Sequence, residues 1–217
     1  SEIDLENTSY KGIMNIDLED IKYANNLGYK IKLISESQII DGKIMSFVEP
    51  TLLSKKNYLS NVNGVLNAIK IESDHLNPLL IEGEGAGGKA TASSIISDIY
   101  EIAMNDNQLS LGFHTNQLIK YETVDLSNKL SSYYLRIIAK DISGVLATIT
   151  SILNREGISI ETILQTPDKK TSDNTIPIII VTHETTRTLL MKSIIKIEKL
   201  DFVIKKIAIL TIDKNID

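Results

Sequence analysis

The chain contains no cysteine, so it has neither a disulfide framework nor thiolate chemistry. This absence fits a reducing cytosol, and we expect the protein to be cytoplasmic. Tryptophan is also missing and only 5% of the 217 residues are aromatic, so Ile and Leu must supply most of the core. No apolar run reaches the roughly 18 residues of a membrane-spanning helix, and no signal-like start is present. We therefore expect no membrane partner.

Basic residues are scarce in the first part of the chain and more frequent in the second. Residues 1–126 carry 18 acidic and 10 basic side chains, whereas residues 127–217 carry 10 acidic and 13 basic ones. This shift favours a domain boundary near residue 126. The lysines of the second part are scattered through amphipathic segments with few aromatic neighbours, which is typical of a solvated surface. We expect no nucleic-acid partner.

Metal-ligating patterns are missing as well. His75, His114 and His183 lie far apart and have no cysteine or second histidine at a ligand spacing, so we expect no metal site. Carboxylates two positions apart, such as Glu72 with Asp74, fit solvent-facing places on a strand or turn. We do not expect them to act as an acid/base pair.

The most prominent motif is a glycine-dense turn at residues 83–88, which follows a strand-like run and leads into a helical pattern. Glycines at such a place permit positive φ angles and the close approach of a ligand, while the open amides of a helix start favour an anion. In the alternative, the turn only packs a helix closely against a sheet. It is not a G-x-x-x-x-G-K-[ST] loop, because Lys89 is followed by Ala90, and it does not open a series of βαβ units.

Before this turn, the first residues predict a short helix and a hairpin. Asp17 is the expected N-cap of the helix and Gly28 the expected stop. Strands are predicted at residues 29–35 and 42–48, and the Asp41–Gly42 pair between them is typical of a hairpin turn.

Pro50 is expected to begin a second unit of the same region. In this interpretation Leu52–Leu53 and residues 61–67 form a helical or looped segment, and strands follow at residues 68–72 and 79–81. A helix with an apolar face then begins after Gly88. Together these elements predict an α+β layer, an open sheet with helices on one face.

The glycine turn also carries a family resemblance. The string Gly-Glu-Gly-Ala-Gly-Gly-Lys-Ala-Thr-Ala-Ser at residues 83–93, followed by Ile-Ile-Ser-Asp-Ile, resembles the G-P-G-A-G-G-x-P-T-A-S-x-V-x-x-D-[IL] block that ends the catalytic domain of homoserine dehydrogenases. Glu84 and Ala90 stand where that family usually has prolines. Residues 12–33 resemble its G-I-x-x-I-x-x-x-D-I-x-x-A-x-x-x-G-Y-x-I-K-L pattern, and residues 49–68 resemble it too.

This resemblance, over residues 3–104, implies part of an enzyme that interconverts L-homoserine and L-aspartate 4-semialdehyde with NAD(P). In that family a dinucleotide-binding domain and a catalytic Asp and Lys come earlier, and none of these can be mapped onto this chain, so we assign no catalytic residue. By the resemblance, Gly87, with Gly85 and Ala86 beside it, approaches the cofactor. We expect this chain alone neither to hold the cofactor nor to transfer hydride.

The second part of the chain predicts a different fold. Residues 105–132 are rich in Asn, Ser and Thr and predict a connector that is partly ordered at best. Residues 133–213 predict a ferredoxin-like βαββαβ arrangement, with a polar hairpin at residues 167–174. The predicted domains are therefore 1–104, 105–132 and 133–213.

Residues 133–213 resemble an ACT domain, the amino-acid sensor of many biosynthetic enzymes. The resemblance rests on Arg136–Ile137, on the Asp141-x-x-Gly144-Val145-Leu146 turn, on residues 157–160 and on the strand at residues 177–183. Gly144 lets the turn close, and the amides after Ser143 suit an amino-acid carboxylate, with Asp141 towards the ammonium group. In the alternative, Asp141 and Ser143 only cap the helix. The predicted effector-binding residues are Asp141, Ser143, Gly144, Val145 and Leu146.

The resemblances imply threonine as the effector and a homodimer or higher homo-oligomer, because ACT domains commonly pair side by side. The leading hypothesis is the later part of the catalytic and dimer-forming domain of a homoserine dehydrogenase, followed by a threonine-sensing ACT domain. Two alternatives stay open. One is a free-standing, non-enzymatic ACT regulator that dimerises through residues 1–104, and the other is a phosphate-binding module that uses residues 83–91.

Overall fold

The computed structural model describes residues 8–104, 114–165 and 174–214. The helices and strands follow in chain order: β1 (Ser9–Tyr10), α1 (Leu18–Asn26), β2 (Tyr29–Ile40), β3 (Lys43–Ser54), β4 (Leu66–Ser73), β5 (Leu76–Glu84), α2 (Gly88–Ala103), β6 (Leu130–Lys140), α3 (Val145–Arg155), β7 (Ile160–Gln165), β8 (Thr175–Thr182), β9 (Thr185–Thr186), α4 (Arg187–Ile197) and β10 (Ala208–Asp213). Single-turn 3₁₀ helices lie at Tyr58–Asn61, Thr115–Gln117 and Leu126–Asn128.

The described residues form two compact units. The smaller unit contains residues 55–104 and 114–120, and the larger unit contains residues 8–54, 121–165 and 174–214. The predicted hairpin at 167–174 lies, apart from Asn174, outside the described residues, as do residues 105–113 of the predicted connector. The domain division at residues 104 and 132 stays a prediction.

The larger unit is built on one eight-stranded sheet. Four of its strands stand side by side in the order β10, β6, β8 and β7, and each neighbouring pair is antiparallel. Apolar residues of α3 and α4 pack against one face of these strands, in a core that includes Ile149, Leu153, Leu190 and Ile194 together with Leu135 of β6. The ferredoxin-like βαββαβ arrangement predicted from the sequence is confirmed.

The hairpin of β2 and β3 extends this sheet. The two strands pair along their whole length, and Asp41 and Gly42 at the turn have φ angles of 49° and 72°. Such positive angles at both central residues are typical of a type I′ hairpin turn, as the sequence predicts. Residues 51–53 of β3 then run parallel to residues 211–213 of β10. Strands from the two ends of the chain therefore share one sheet.

Pro50 does not begin a new unit, and that prediction is wrong. β3 continues through Pro50 and includes Leu52–Leu53, which are almost completely buried. The carbonyl of Val48 accepts a hydrogen bond from the backbone of Lys11 (2.7 Å), and Pro50, two residues later, faces the same edge of the strand. Neither β1 nor β10 pairs with β3 at Pro50, so the missing N–H leaves no gap in a ladder.

Helix α1 covers the second face of the sheet. It begins after Asp17 and ends before Gly28 (φ 87°), as predicted. A second core joins residues from α1 and β3 to residues of the βαββαβ strands: Tyr23, Ala24, Leu52, Tyr134, Ile179, Val181, Leu210 and Ile212. Because side chains alternate along a strand, β6 and β8 contribute to both cores and are buried on both faces.

The smaller unit contains the antiparallel hairpin of β4 and β5, followed by α2. The predicted helical or looped segment at 61–67 is partly wrong, because the only helical turn there ends at Asn61 and β4 already begins at Leu66. The helix after Gly88 is confirmed. No residue of β5 or α2 is buried, although both carry many large apolar side chains.

Candidate functional site

The glycine turn joins β5 to α2 on an exposed surface. All residues from 83 to 88 are exposed. Gly87 is the N-cap of α2 and has φ 119° and ψ 148°, a conformation that is essentially confined to glycine. The backbone N–H of Thr91 donates to the carbonyl of Gly87 (3.0 Å), which closes the first turn of the helix. Glycine is therefore required at position 87 by the backbone itself.

Gly85 is required for a different reason. Its backbone N–H donates to the carbonyl of Val65 (2.9 Å), and this hydrogen bond holds the turn against the start of β4. A Cβ atom built on Gly85 would lie only 1.5 Å from Nδ2 of Asn67. Glycine at position 85 thus allows the carboxamide of Asn67 to lie directly against the turn.

The start of α2 has the properties of an anion-contacting surface. No side chain caps this 16-residue helix, so the first amides stay open, and the helix dipole adds partial positive charge there. The turn leaves its backbone accessible, which fits a contact with the phosphates of a dinucleotide. Glu84, which stands where the resembling family has proline, adds an exposed carboxylate next to this surface.

The predicted effector loop, residues 141–146, connects β6 to α3. Gly144 is the N-cap of α3 with φ 89°, and no side chain caps the helix, so the proposed capping role of Asp141 and Ser143 does not appear in the structure. Asp141 and Ser143 are exposed, whereas Val145 is buried and Leu146 packs against the same core. Val145 and Leu146 can thus offer a ligand only their backbone amides, whereas the side chains of Asp141 and Ser143 are accessible.

An open groove lies beside α3 and the start of β7, and the sequence did not single it out as a site. Five polar residues line it: Thr150, Ser151, Asn154, Ser159 and His183. The groove thus presents hydroxyl, carboxamide and imidazole groups. The segments with Ser159 and His183 had been recognised only as parts of the ACT resemblance.

A second feature that the sequence did not indicate is a buried ion cluster between α1 and β6. Asp20 is fully buried, and its carboxylate accepts hydrogen bonds from Nε and Nη2 of Arg136 (2.6 and 2.9 Å), from the hydroxyl of Tyr134 (2.9 Å) and from the backbone N–H of Asp17 (2.9 Å). Nη2 of Arg136 also donates to Oδ2 of Asp17 (2.5 Å). Burial and the nearby charge of Asp20 raise the pKa of Tyr134 far above its ordinary value, so its hydroxyl remains a donor.

A third charged group surrounds Glu49 of β3. The hydroxyl of Thr211 donates to Oε1 of Glu49 (2.7 Å), and Lys11 and Arg187 lie 3.2 Å and 3.5 Å from Oε2. Burial alone raises the pKa of Glu49, but the Thr211 hydrogen bond and the two positive charges outweigh it and hold the pKa below its ordinary value. This carboxylate therefore has a structural role in joining β3 to α4, to β10 and to Lys11, the residue after β1.

Metal-binding clusters and membrane-spanning helices are absent from the described ranges. No group of three or more histidine or carboxylate side chains there has the geometry of a metal site. Among the helices of the same ranges, none combines the length and apolar character that crossing a bilayer requires.

The fold defines a class of protein in which a glycine-turn region precedes a ferredoxin-like domain. Comparison with known families gives both parts a name. Residues 1–100 match the homoserine dehydrogenase family, and residues 133–199 match the ACT domain. Over these two ranges the chain is similar to a homoserine dehydrogenase domain followed by an ACT domain.

Individual relatives support both assignments. The chain is 36% identical over 210 residues to homoserine dehydrogenase of Neisseria gonorrhoeae, covering 94% of this chain and 48% of that protein. It is 37% identical over 187 residues to the Bacillus subtilis enzyme, covering 84% and 42%. The crystal structure of a homoserine dehydrogenase from Thiobacillus denitrificans matches 96% of this chain and 48% of its own, with TM-score 0.77 and 32% identity. The chain spans about half the length of these relatives.

Proposed function

We propose that this chain supplies the part of a homoserine dehydrogenase that touches the nicotinamide cofactor through residues 83–88 and that senses an amino acid through its ACT domain. The observation that carries the proposal is the exposed glycine turn, in which Gly87 adopts φ 119° at the uncapped start of α2. The matches of residues 1–100 to homoserine dehydrogenases support it. We place the protein in the cytoplasm and retain the division into residues 1–104, 105–132 and 133–213.

In the proposed enzyme, NAD(P) exchanges a hydride with the carbon that is the alcohol in L-homoserine and the aldehyde in L-aspartate 4-semialdehyde. The backbone amides of Gly87 and Gly88 contribute contacts to the cofactor from one side, with Gly85 and Ala86 shaping the turn. Residues beyond this chain supply the remaining contacts and the proton-transfer groups, so the chain alone is expected to be inactive.

A chimera tests this proposal. The half of the Neisseria gonorrhoeae enzyme that this chain does not match is joined to this chain, and NAD(P)-dependent oxidation of L-homoserine is measured. We expect activity in the chimera and none in the chain alone. Gly87→Ala should raise the KM for the cofactor at least about tenfold, because the strained backbone displaces the turn. Gly83→Ala is the matched control, since Gly83 has no positive φ and open space around its Cα. An unchanged cofactor KM in the Gly87 variant would refute the contact.

The ACT domain is proposed to bind threonine at residues 141–146. Open amides at the start of α3 suit the carboxylate, and the exposed carboxylate of Asp141 suits the ammonium group. Calorimetry with threonine, serine, methionine and isoleucine tests this site in the full chain. We expect heat from threonine, and a weakened signal in Asp141→Asn. If none of the four amino acids gives heat, the effector proposal fails.

A homodimer is proposed to form along β7. In the described part of the chain, β10 is paired on both edges and α1 covers the second face, whereas β7 pairs only with β8. The polar groove with Asn154 and His183 lies next to this open edge. Light scattering should give twice the mass of 24.1 kDa, and proline substitution of Ile163 should give the monomer mass. A wild-type monomer would exclude this pairing.

One observation favours a second candidate, a non-enzymatic amino-acid sensor. The ACT strands and residues 8–54 form one compact unit without residues 55–104. Threonine binding together with an inactive chimera would favour this candidate over the dehydrogenase. Tight binding of NADPH to the chain alone would instead favour a self-sufficient phosphate-binding module at residues 83–91.

A further inference from the structure

The ACT domain of this chain is physically continuous with part of the homoserine dehydrogenase domain. α1 and β3, which lie within the dehydrogenase match, complete the second core of the ACT sheet with Tyr23, Ala24 and Leu52. β3 also adds to the sheet beside β10. A change in the ACT sheet therefore cannot leave α1 and the hairpin of β2 and β3 unaffected unless the core between them is opened.

The buried ion cluster fixes this junction in one geometry. Arg136 grips the carboxylate of Asp20 through two parallel N–H···O bonds, and Tyr134 and the backbone of Asp17 complete four hydrogen bonds to that carboxylate. Bidentate pairing of this kind restricts both distance and angle. Sliding α1 along β6 would leave a buried charge unpaired, which is costly, so only arrangements that keep the whole cluster are accessible.

The cluster lies on the strand that leads to the effector loop. β6 carries Tyr134 and Arg136 and ends at Lys140, directly before residues 141–146. The backbone N–H of Lys140 donates to the carbonyl of Phe202 (2.9 Å), between α4 and β10, and that of Asp141 donates to the carbonyl of Asn174 (3.0 Å), directly before β8. These two bonds hold the start of the loop in place. The loop is thus connected to α1 through β6 and the hydrogen bonds of the ion cluster.

We propose that the cluster of Asp17, Asp20, Tyr134 and Arg136 is a coupling joint through which the state of the effector loop is transmitted to α1 and the hairpin of β2 and β3. Its regulatory use rests on the proposed effector site, whereas the mechanical coupling does not. Coupling of this kind is a reciprocal free energy between two sites, commonly worth 5- to 150-fold in an equilibrium. Through this joint, a change in the loop alters the position of α1 on the second face of the sheet.

A mutant cycle in the full chain, read by hydrogen exchange, tests the coupling without any ligand. Gly144→Ala strains the loop, because Gly144 has φ 89°. We expect this variant to speed exchange of the α1 amides about tenfold. In the background of Asp20→Leu, Tyr134→Phe and Arg136→Met, which replaces the cluster by apolar side chains and so leaves no buried charge unpaired, the same substitution should affect the loop but not α1.

Gly157→Ala is the matched control, since Gly157 has φ 73° at the opposite end of α3 and is not adjacent to β6. It should leave exchange of α1 unchanged in both backgrounds. The coupling joint is overturned if Gly144→Ala does not change exchange of α1 in the wild-type background. It is also overturned if the change in α1 is equally large in the apolar background.

Calorimetry with threonine separates this inference from the effector proposal. If threonine binds, saturation should slow exchange of α1 in the wild type and not in the apolar background; bound threonine with no change in α1 overturns the inference. If threonine and the other three amino acids give no heat, the effector proposal fails, and the ligand-free cycle still decides the coupling.

Discussion

Gly87 and Gly83 lie four residues apart in the same turn, yet a side chain has a different cost at each. Both have open space around Cα, but only Gly87 has a positive φ, 119° with ψ 148°. Backbone strain of this type costs on the order of 1–3 kcal/mol. Because no atom lies within 4 Å of the place where a Cβ on Gly87 would stand, the helix end can relieve the strain by fraying.

We therefore expect Gly87→Ala to speed hydrogen exchange at residues 89–93 while the free energy of unfolding of the larger unit stays constant. Gly83→Ala should change neither. Peptide-resolved exchange and a urea titration followed by tyrosine fluorescence measure the two quantities. Equal exchange in both variants would contradict the assignment of strain to position 87.

The crowding at Gly85 gives a separate prediction for a residue pair. Gly85→Ala places a methyl group where Nδ2 of Asn67 now lies, so Asn67 must move and the contact between β4 and the turn loosens. Exchange in residues 66–72 should rise. The double variant Asn67→Ala with Gly85→Ala should restore it, because the obstacle is gone. A double variant that exchanges as fast as Gly85→Ala would show that the backbone, and not Asn67, resists the substitution.

Glu49 makes the larger unit sensitive to acid. Its pKa is held below the ordinary value in the folded chain, so its contribution to stability is present above the unfolded pKa of about 4.3 and is lost as pH falls through the folded pKa. The wild type should thus lose free energy of unfolding between about pH 6 and about pH 3.5. Thr211→Val, which removes one hydrogen bond to the carboxylate, should reduce this loss, and Thr211→Ser should retain it. Urea unfolding midpoints of the wild type and both variants at the two pH values measure this loss.

At the scale of elements, α4 depends on a side-chain cap that α2 and α3 lack. Oγ1 of Thr186 accepts a hydrogen bond from the backbone N–H of Leu189 (3.3 Å), and α4 packs its apolar face into the main core. Thr186→Ala should lower the free energy of unfolding by about 1 kcal/mol, a typical cost for losing such a cap. Ser151→Ala, at an exposed position of α3, should leave it unchanged. Denaturant midpoints with equal slopes measure both effects.

Some helices and strands were predicted from the sequence, whereas other features of the sheet were not. Periodicity and glycine stops located α1, α3 and the strands of the βαββαβ fold, because these are local signals. These signals failed at Pro50, because a strand can continue through a proline only where the edge that its nitrogen faces has no pairing strand. They also gave no sign of the pairing of β3 with β10, which joins residues 160 positions apart.

The candidate sites divide in the same way. The turn at residues 83–88 and the loop at residues 141–146 were found because glycine and capping patterns are contiguous in sequence. The joint of Asp20 with Arg136 was missed, although Asp17 and Arg136 had each been noted. Arg136 lies 116 or more residues after these two carboxylates, so no local sequence pattern indicates the contact. The groove near His183 was missed because its polar side chains follow no recognised motif.

At the scale of the whole molecule, the two units should differ in local stability. β5 and α2 contain no buried residue, whereas β6 and β8 are buried on both faces. Local opening costs least where few apolar contacts are lost. We expect amides of α2 to exchange at least about a hundredfold faster than those of β8 in the full chain. Protection of α2 equal to that of β8 would contradict the distinction between the units.

Because α1 covers one face of the ACT sheet, the ACT segment cannot be excised without it. Cutting the gene just before residue 121 would leave Tyr134, Ile179, Val181 and Leu210 as a bare apolar surface and Arg136 without its carboxylate. Such a product would be expected to precipitate. A soluble shortened protein needs residues 8–54 as well as the ACT segment, with a spacer in place of the residues between them.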